Sequence, residues 1–137
     1  MASIFHLALN ITDLAAARRF YGTLLGCEEG RSTETWVDFD FFGHQLSLHL
    51  GQPFSTAQTG VVDGAQVPMP HFGVVLLMPQ WSELAQRLTD SGLAFEFGPS
   101  VRFPGQAGEQ ATMFFRDPSG NPLEIKGIAS HHGVFAQ

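Results

Sequence analysis

The sequence predicts an α+β fold built from two pseudosymmetric βαβββ modules. Three observations carry that expectation. Two short apolar runs, "FHLALNI" and "HFGVVLLM", each hold a histidine at or near the start and precede a segment with helical apolar spacing. Behind each helix-like segment stand three strand-like pieces separated by turn residues. The halves register at matching landmarks: His6 with His71, Gly26 with Gly92, and "FGHQLSL" with "SGNPLEI".

Taken in order, "SIFHLALNI" reads as the first strand and "TDLAAARRFYGTLLG" as the first helix. Thr12 or Asp13 can cap that helix, Leu14, Ala17, Tyr21, Leu24 and Leu25 recur at helical spacing, and Gly26 can end it. Strand-like pieces follow at Glu28 to Ser32, "ETWVDFDF" and "QLSLHL", with a turn at Phe42-Gly43 before the last. "GQPFSTAQTGVVDGAQVPMP" is rich in Gly, Pro, Gln and Thr and reads as a connecting loop. In the second half "HFGVVLLM" is a strand, and "QWSELAQRLTDSG" a helix with Trp81, Leu84, Ala85 and Leu88 apolar and Gly92 closing it. "AFEFG", "ATMFFRD" and "PLEIKG" are then strands, the last two joined by a turn at "DPSGN". The chain is thus expected as a single domain, 1–137: module one about 3–51, connector about 52–69, module two about 70–128, tail 129–137.

Composition narrows the function. With 137 residues the chain can bury a real core, and 44% apolar with 15% charged residues is ordinary for a globular protein. Net charge is −6 and Lys126 is the only lysine, which argues against nucleic acid and against anionic membrane as partners. No apolar run approaches a membrane span, and the N-terminus lacks a signal pattern. Cys27 is the sole cysteine, so no internal disulfide is possible and a reducing cytoplasm fits; it is expected as a small buried apolar residue. Thirteen phenylalanines against one tyrosine leave enough to line an apolar cavity as well as fill a core.

Aligning the halves on their last strands sets Leu46-Ser47-Leu48 on Leu123-Glu124-Ile125. Alternation turns Glu124 away from its apolar neighbours. His6 and His71 hold equivalent places on the first strand of each half, so two-fold pseudosymmetry lets His6, His71 and Glu124 converge, with Ser47 completing the ring. Two imidazoles and one carboxylate suit a divalent metal with positions left open; iron(II) is favoured, and manganese, zinc or nickel also suit. A lone strand histidine is ordinarily a hydrogen-bonded packing residue, and the coincidence of three such residues is what raises the metal reading above that one.

On "FHLALNITDLAAARRFYGTLLG", "PHFGVV" and "FFRDPSGNPLEIKG" the chain resembles the vicinal-oxygen-chelate superfamily of glyoxalases, bleomycin-resistance proteins and extradiol dioxygenases, over about residues 3 to 128. "WVDFDFFGHQLSLHL" with "PMPHFGVV" is similar to small single-domain predicted extradiol dioxygenases. The resemblance implies a cupped mixed sheet around a metal with helices outside, and its ligand pattern falls on His6, His71 and Glu124. It also implies a homodimer. Where glyoxalase I supplies a fourth ligand this chain has Ser47, a poor one, so the resemblance implies an extradiol-type dioxygenase taking a catechol-like diol and O2. A glyoxalase-type lyase or isomerase and a non-enzymatic drug-binding protein are the alternatives.

His44 stands where extradiol enzymes carry an acid-base histidine, although alternation places Gln45, Ser47 and His49 on the cavity face instead. His44 and His49 are therefore both candidates for proton transfer. Gln45, Ser47, Phe72, Phe103, Phe114 and Phe115 are the pool for a substrate pocket. Two departures stand out. Phe114 takes the place where extradiol enzymes have a tyrosine, and no histidine occurs between His71 and His131, which leaves the tail pair His131-His132 as possible substitutes. Ala8 stands where fosfomycin-resistance enzymes carry threonine.

Overall fold

A computed structural model of the chain describes residues 3–62 and 64–136. It divides into two compact units, Met1–Thr56 with Asp117–Asn121, and Ala57–Arg116 with Pro122–Gln137.

In the first unit, β1 (His6–Ile11) leads to α1 (Leu14–Ala17), which runs on as wider π-helical turns over Arg18–Leu24. Strands β2 (Glu28–Ser32), β3 (Trp36–Phe41) and β4 (His44–Leu50) follow, and the sheet order is β1-β4-β3-β2 with β1 parallel to β4. Asp13 is the cap: its Oδ1 accepts the Ala16 N–H at 3.1 Å, satisfying a donor the helix itself leaves unpaired. The sequence predicts one continuous α-helix, and the structure differs after Ala17. The Leu25 N–H reaches back five residues to the Phe20 carbonyl at 2.9 Å. The extra residue in the turn brings Phe20 and Tyr21 both into the core, beside Ala17 and Leu25, and leaves Leu24 only half-buried. Across from them lie Val37, Phe39, Phe41, Leu46 and Leu48, the alternate residues of β3 and β4. Phe42 (φ 52) and Gly43 (φ 92) form the two-residue hairpin turn, both in the left-handed region that this tight connection requires.

The loop over residues 117–121, though far along the sequence, belongs to this first unit. Asp117 organises it. Its Oδ1 accepts the N–H groups of Ser119 and Asn121, and its Oδ2 accepts the Tyr21 hydroxyl at 2.7 Å and the Asn121 amide at 3.0 Å. The Asn121 amide also donates to the Asn10 carbonyl, and the Thr12 N–H donates to Ser119 Oγ. Tyr21 is fully buried; burial foremost, then the Asp117 charge, holds its phenol well above the ordinary value of 10.0. The folded state therefore keeps that proton more tightly than the unfolded chain. Below pH 10 both states are protonated and nothing changes; above it only the unfolded phenol ionises, so stability falls as pH rises. Tyr21→Phe is expected to cost about 1–2 kcal/mol at neutral pH. It should also remove this alkaline slope, as denaturant melts between pH 7 and 11 would show.

In the second unit, the segment read as a connecting loop pairs as an antiparallel hairpin, β5 (Ala57–Val62) with β6 (Ala65–Met69). Gly64, at φ 80, supplies the left-handed backbone such a short connection needs. Then come β7 (Phe72–Leu77), α2 (Met78–Asp90), β8 (Phe95–Arg102), β9 (Gln110–Arg116), β10 (Pro122–Ile128) and a short 3-10 turn, His131–Val134. The sheet order is β7-β10-β9-β8, with β7 parallel to β10. It repeats the first unit's order strand for strand.

Helix α2 starts two residues before the sequence reading, at Met78-Pro79, where proline suits a first turn. It buries Trp81, Leu84, Ala85 and Leu88, and the Trp81 indole N–H donates to the Ile125 carbonyl at 2.9 Å. Strand β8 runs past Gly98-Pro99, a pair that reads as a stop. The register slips between Phe97 and Ser100 and pairing then resumes, Ser100 opposite Thr112. Cys27 is buried and unbonded to another cysteine, as a small core residue. Among the described residues, no helix is long and apolar enough to cross a membrane.

Candidate metal centre

The second unit brings two of the predicted residues into contact. His71, just ahead of β7, places its Nε2 3.2 Å from Oε1 of Glu124 on β10. Its Nδ1 lies 2.7 Å from the Pro68 carbonyl. A carbonyl only accepts, so Nδ1 carries a proton, and Nε2 is the nitrogen that faces Glu124. The other carboxylate oxygen of Glu124, Oε2, accepts the Thr112 hydroxyl at 2.6 Å, which fixes the rotamer and leaves Oε1 aimed at His71. Glu124 is 7% exposed, and the Phe114 ring meets His71 edge-on with centroids 4.9 Å apart. Two ligand atoms that share one ion at right angles, each about 2.0–2.2 Å from it, stand about 3 Å from each other. The Nε2–Oε1 spacing fits that requirement.

The first unit holds His6 in the same tautomer by a different device. His6 Nδ1 lies 2.8 Å from Gln45 Oε1, and Gln45 Nε2 donates to Asp38 Oδ2 at 3.2 Å. Because Asp38 takes the amide's donor end, its oxygen end faces His6, so Nδ1 carries a proton towards it. Asp38 is buried, and its second oxygen accepts the Ser47 hydroxyl at 2.6 Å. Strand register makes the pseudosymmetry concrete. Ser47 pairs with Ala8, two residues after His6; Glu124 pairs with Gly73, two residues after His71. Among the described residues, no three His, Cys, Asp or Glu side chains gather within reach of one ion, and the His71–Glu124 pair is the part of the predicted set in contact.

These features sit on a scaffold that can be compared with known proteins. The family model for the Glyoxalase/Bleomycin resistance protein/Dioxygenase superfamily matches residues 3–125. The chain belongs to that superfamily. A glyoxalase/bleomycin resistance protein/dioxygenase from Alicyclobacillus acidocaldarius is 32% identical, covering 97% of this chain and 96% of that one, with a TM-score of 0.74. The same fold, at lower identity, occurs in a lactoylglutathione lyase from Agrobacterium tumefaciens (22%, 93% and 94% covered, TM-score 0.63). It occurs also in a genomically encoded fosfomycin resistance protein from Listeria monocytogenes (16%, 93% of each chain, TM-score 0.63).

The remaining predicted residues of this superfamily member fall in different places. His44 accepts the Phe5 N–H on Nδ1 at 3.1 Å and stands at the start of β4, in alternation with the buried Leu46 and Leu48. His49 alternates with Gln45 and Ser47, lies opposite Asn10, and lines a small cavity of the first unit with Asn10, Gln52 and Phe54. Phe114 pairs with Glu124 and shares its sheet face, whereas Phe115 pairs with Leu123 and packs edge-on to Phe95 in the core. Phe72, also opposite Leu123, is half-buried. Phe103 is 49% exposed beyond β8, at φ 54, with the Arg102 guanidinium 5.3 Å from its ring centre. His131 and His132 lie exposed in the 3-10 turn.

Three partners were not anticipated from the sequence: Asp38, Thr112 and the Pro68 carbonyl. Asp38 carried a signal, since in "WVDFDF" it alternates with core residues and pairs with Ser47. Thr112 carried a weaker one, because it bonds Glu124 diagonally rather than from the opposing position.

Proposed function

We propose that this protein is a metal-dependent dioxygenase of the extradiol type, acting on a small aromatic diol, and that it works as a homodimer. His71 and Glu124, with His6 as third ligand, would hold a divalent ion, iron(II) first among the candidates. The observation that carries the reading is the donor set itself. His71 Nε2 and Glu124 Oε1 stand at ligand-to-ligand spacing, and both histidines carry their proton on Nδ1 against a fixed acceptor, as ligating histidines do. Ser47 supports three ligands rather than four, because its hydroxyl is committed to Asp38.

When bound, the ion would acidify a chelated diol and bring oxygen beside it. The protein's own residues do the rest. Thr112 holds Glu124 in its rotamer, and Gln45, braced by Asp38, holds the His6 ring. Phe114, fully buried against His71, walls the pair with apolar surface and excludes water. Of the two acid-base candidates, His49 is the better placed to move a proton, because it shares the strand face of Ser47. His44 has its Nδ1 engaged by the Phe5 N–H and keeps only Nε2 for such a role.

Gln45→Leu removes the acceptor that fixes His6, and metal affinity should fall about 10- to 100-fold. Titration with cobalt(II), read by its visible absorption, measures it. The reaction itself is tested by loading iron(II) anaerobically, adding catechol and admitting air. A yellow ring-fission product is the expected result. Turnover of a hemithioacetal instead would establish the lyase alternative, and protein that binds no divalent metal would sink both enzymes.

A further inference from the structure

Beside the His71–Glu124 pair, and wholly within the second unit, lies a cavity of about 260 Å³, lined by Glu124, Thr112, Ser100, Lys126, Arg102 and part of the 3-10 turn. Its wall is one sheet face. Lys126 follows Glu124 by two residues on β10, about 6–7 Å further along the same face. Thr112 stands opposite Lys126, Ser100 opposite Thr112, and Arg102 is the next residue on that side of β8.

The charges are unusual for this chain. It has seven basic side chains against thirteen acidic ones, yet its only lysine and one of its arginines line the same small cavity. Arg18 and Arg116 each pair with a glutamate, whereas Lys126 has no carboxylate within ion-pair distance among the described residues. The nearest candidate along the strand, Glu124, is occupied by Thr112 and His71. Positive charge here also repels any cation held at Glu124, a cost that a bound anion would cancel.

We propose that Lys126 and Arg102 form an anion subsite and that the substrate is a small carboxylic acid, its carboxylate on Lys126 and its other end at Glu124. This rests on the metal reading above for what that other end meets. The strand spacing and the cavity volume suit a molecule of one aromatic ring, and Ser100 and Thr112 offer hydroxyls along its length.

Calorimetric titration of the iron(II)-loaded protein under nitrogen, with 3,4-dihydroxybenzoate and with catechol, tests the proposal. The acid should bind about tenfold more tightly. Lys126→Met should erase that preference, Arg102→Gln should reduce it, and Lys126→Arg should largely keep it, all with metal content no lower than in the unsubstituted protein. Equal binding of the two ligands by the unsubstituted protein, or a preference that survives Lys126→Met, would overturn the subsite. Preference for the acid in protein that retains no metal would uphold the subsite and refute the metal reading alone.

Discussion

Glu124→Ala is expected to lower divalent-metal affinity by more than about 100-fold. Loss of an outer partner of a ligand already costs about 10- to 100-fold, and Glu124 is proposed as a ligand itself. The substitution also strips the acceptor from the Thr112 hydroxyl and the oxygen facing His71 Nε2, both in a buried setting. Metal content after dialysis measures the first effect. The second is separated by following thermal unfolding with and without added metal. An ion that binds only the folded form raises the midpoint. That increment should vanish in Glu124→Ala while the metal-free midpoint moves modestly. His71→Ala should behave alike, and Thr112→Val should fall between. If Glu124→Ala retains metal as the unsubstituted protein does, the centre is elsewhere.

Gly73→Ala should be the most damaging single-methyl change in the chain, costing about 4 kcal/mol or more or preventing folding of the second unit. A Cβ at Gly73 would fall 1.5 Å from the Glu124 carbonyl oxygen and 2.6 Å from its carbon, both backbone atoms that cannot rotate aside. Relief requires β7 to separate from β10, the parallel pair that sets His71 beside Glu124. The equivalent place in the first unit is occupied by Ala8, paired with Ser47, so a methyl group is accommodated there. Ala8→Gly is therefore expected to be mild, about 1 kcal/mol. Urea unfolding of both variants, with circular dichroism to detect lost sheet, makes the comparison.

Much of this architecture was legible because the signals were local. Period-two alternation in "QLSLHL" and "PLEIKG", and helical spacing of Trp81, Leu84, Ala85 and Leu88, mark surfaces that must be buried. The duplicated landmarks then aligned Ser47 with Glu124, and the strand registers agree. What escaped depends on geometry that sequence spacing does not encode. The π-helical widening after Ala17 shifts which residues face inward, so Phe20 displaces Leu24. The β5–β6 hairpin hid in a segment whose Gly, Pro and Thr content resembles a loop. Gly98-Pro99 reads as a strand end, yet a bulge absorbs it and carries β8 to Arg102. At the candidate site, the His71–Glu124 contact followed from pseudosymmetry. The braces did not, because a backbone carbonyl at Pro68 and a diagonal hydroxyl at Thr112 are invisible to pattern.

The loop over residues 117–121 has a consequence for biosynthesis. Tyr21 and Asn10 find their partners in Asp117 and Asn121, 96 and 111 residues later. A nascent chain ending near residue 56 would hold every strand of the first sheet but not this plug, leaving a buried phenol without an acceptor. The amino-terminal half is therefore expected to gain its full stability only after residues 117–121 have emerged from the ribosome. Such long-range closure slows folding. Pulse-proteolysis of stalled chains extended by a C-terminal spacer should find the first unit protease-sensitive at 100 residues and resistant once the spacer has carried residue 121 out of the exit tunnel.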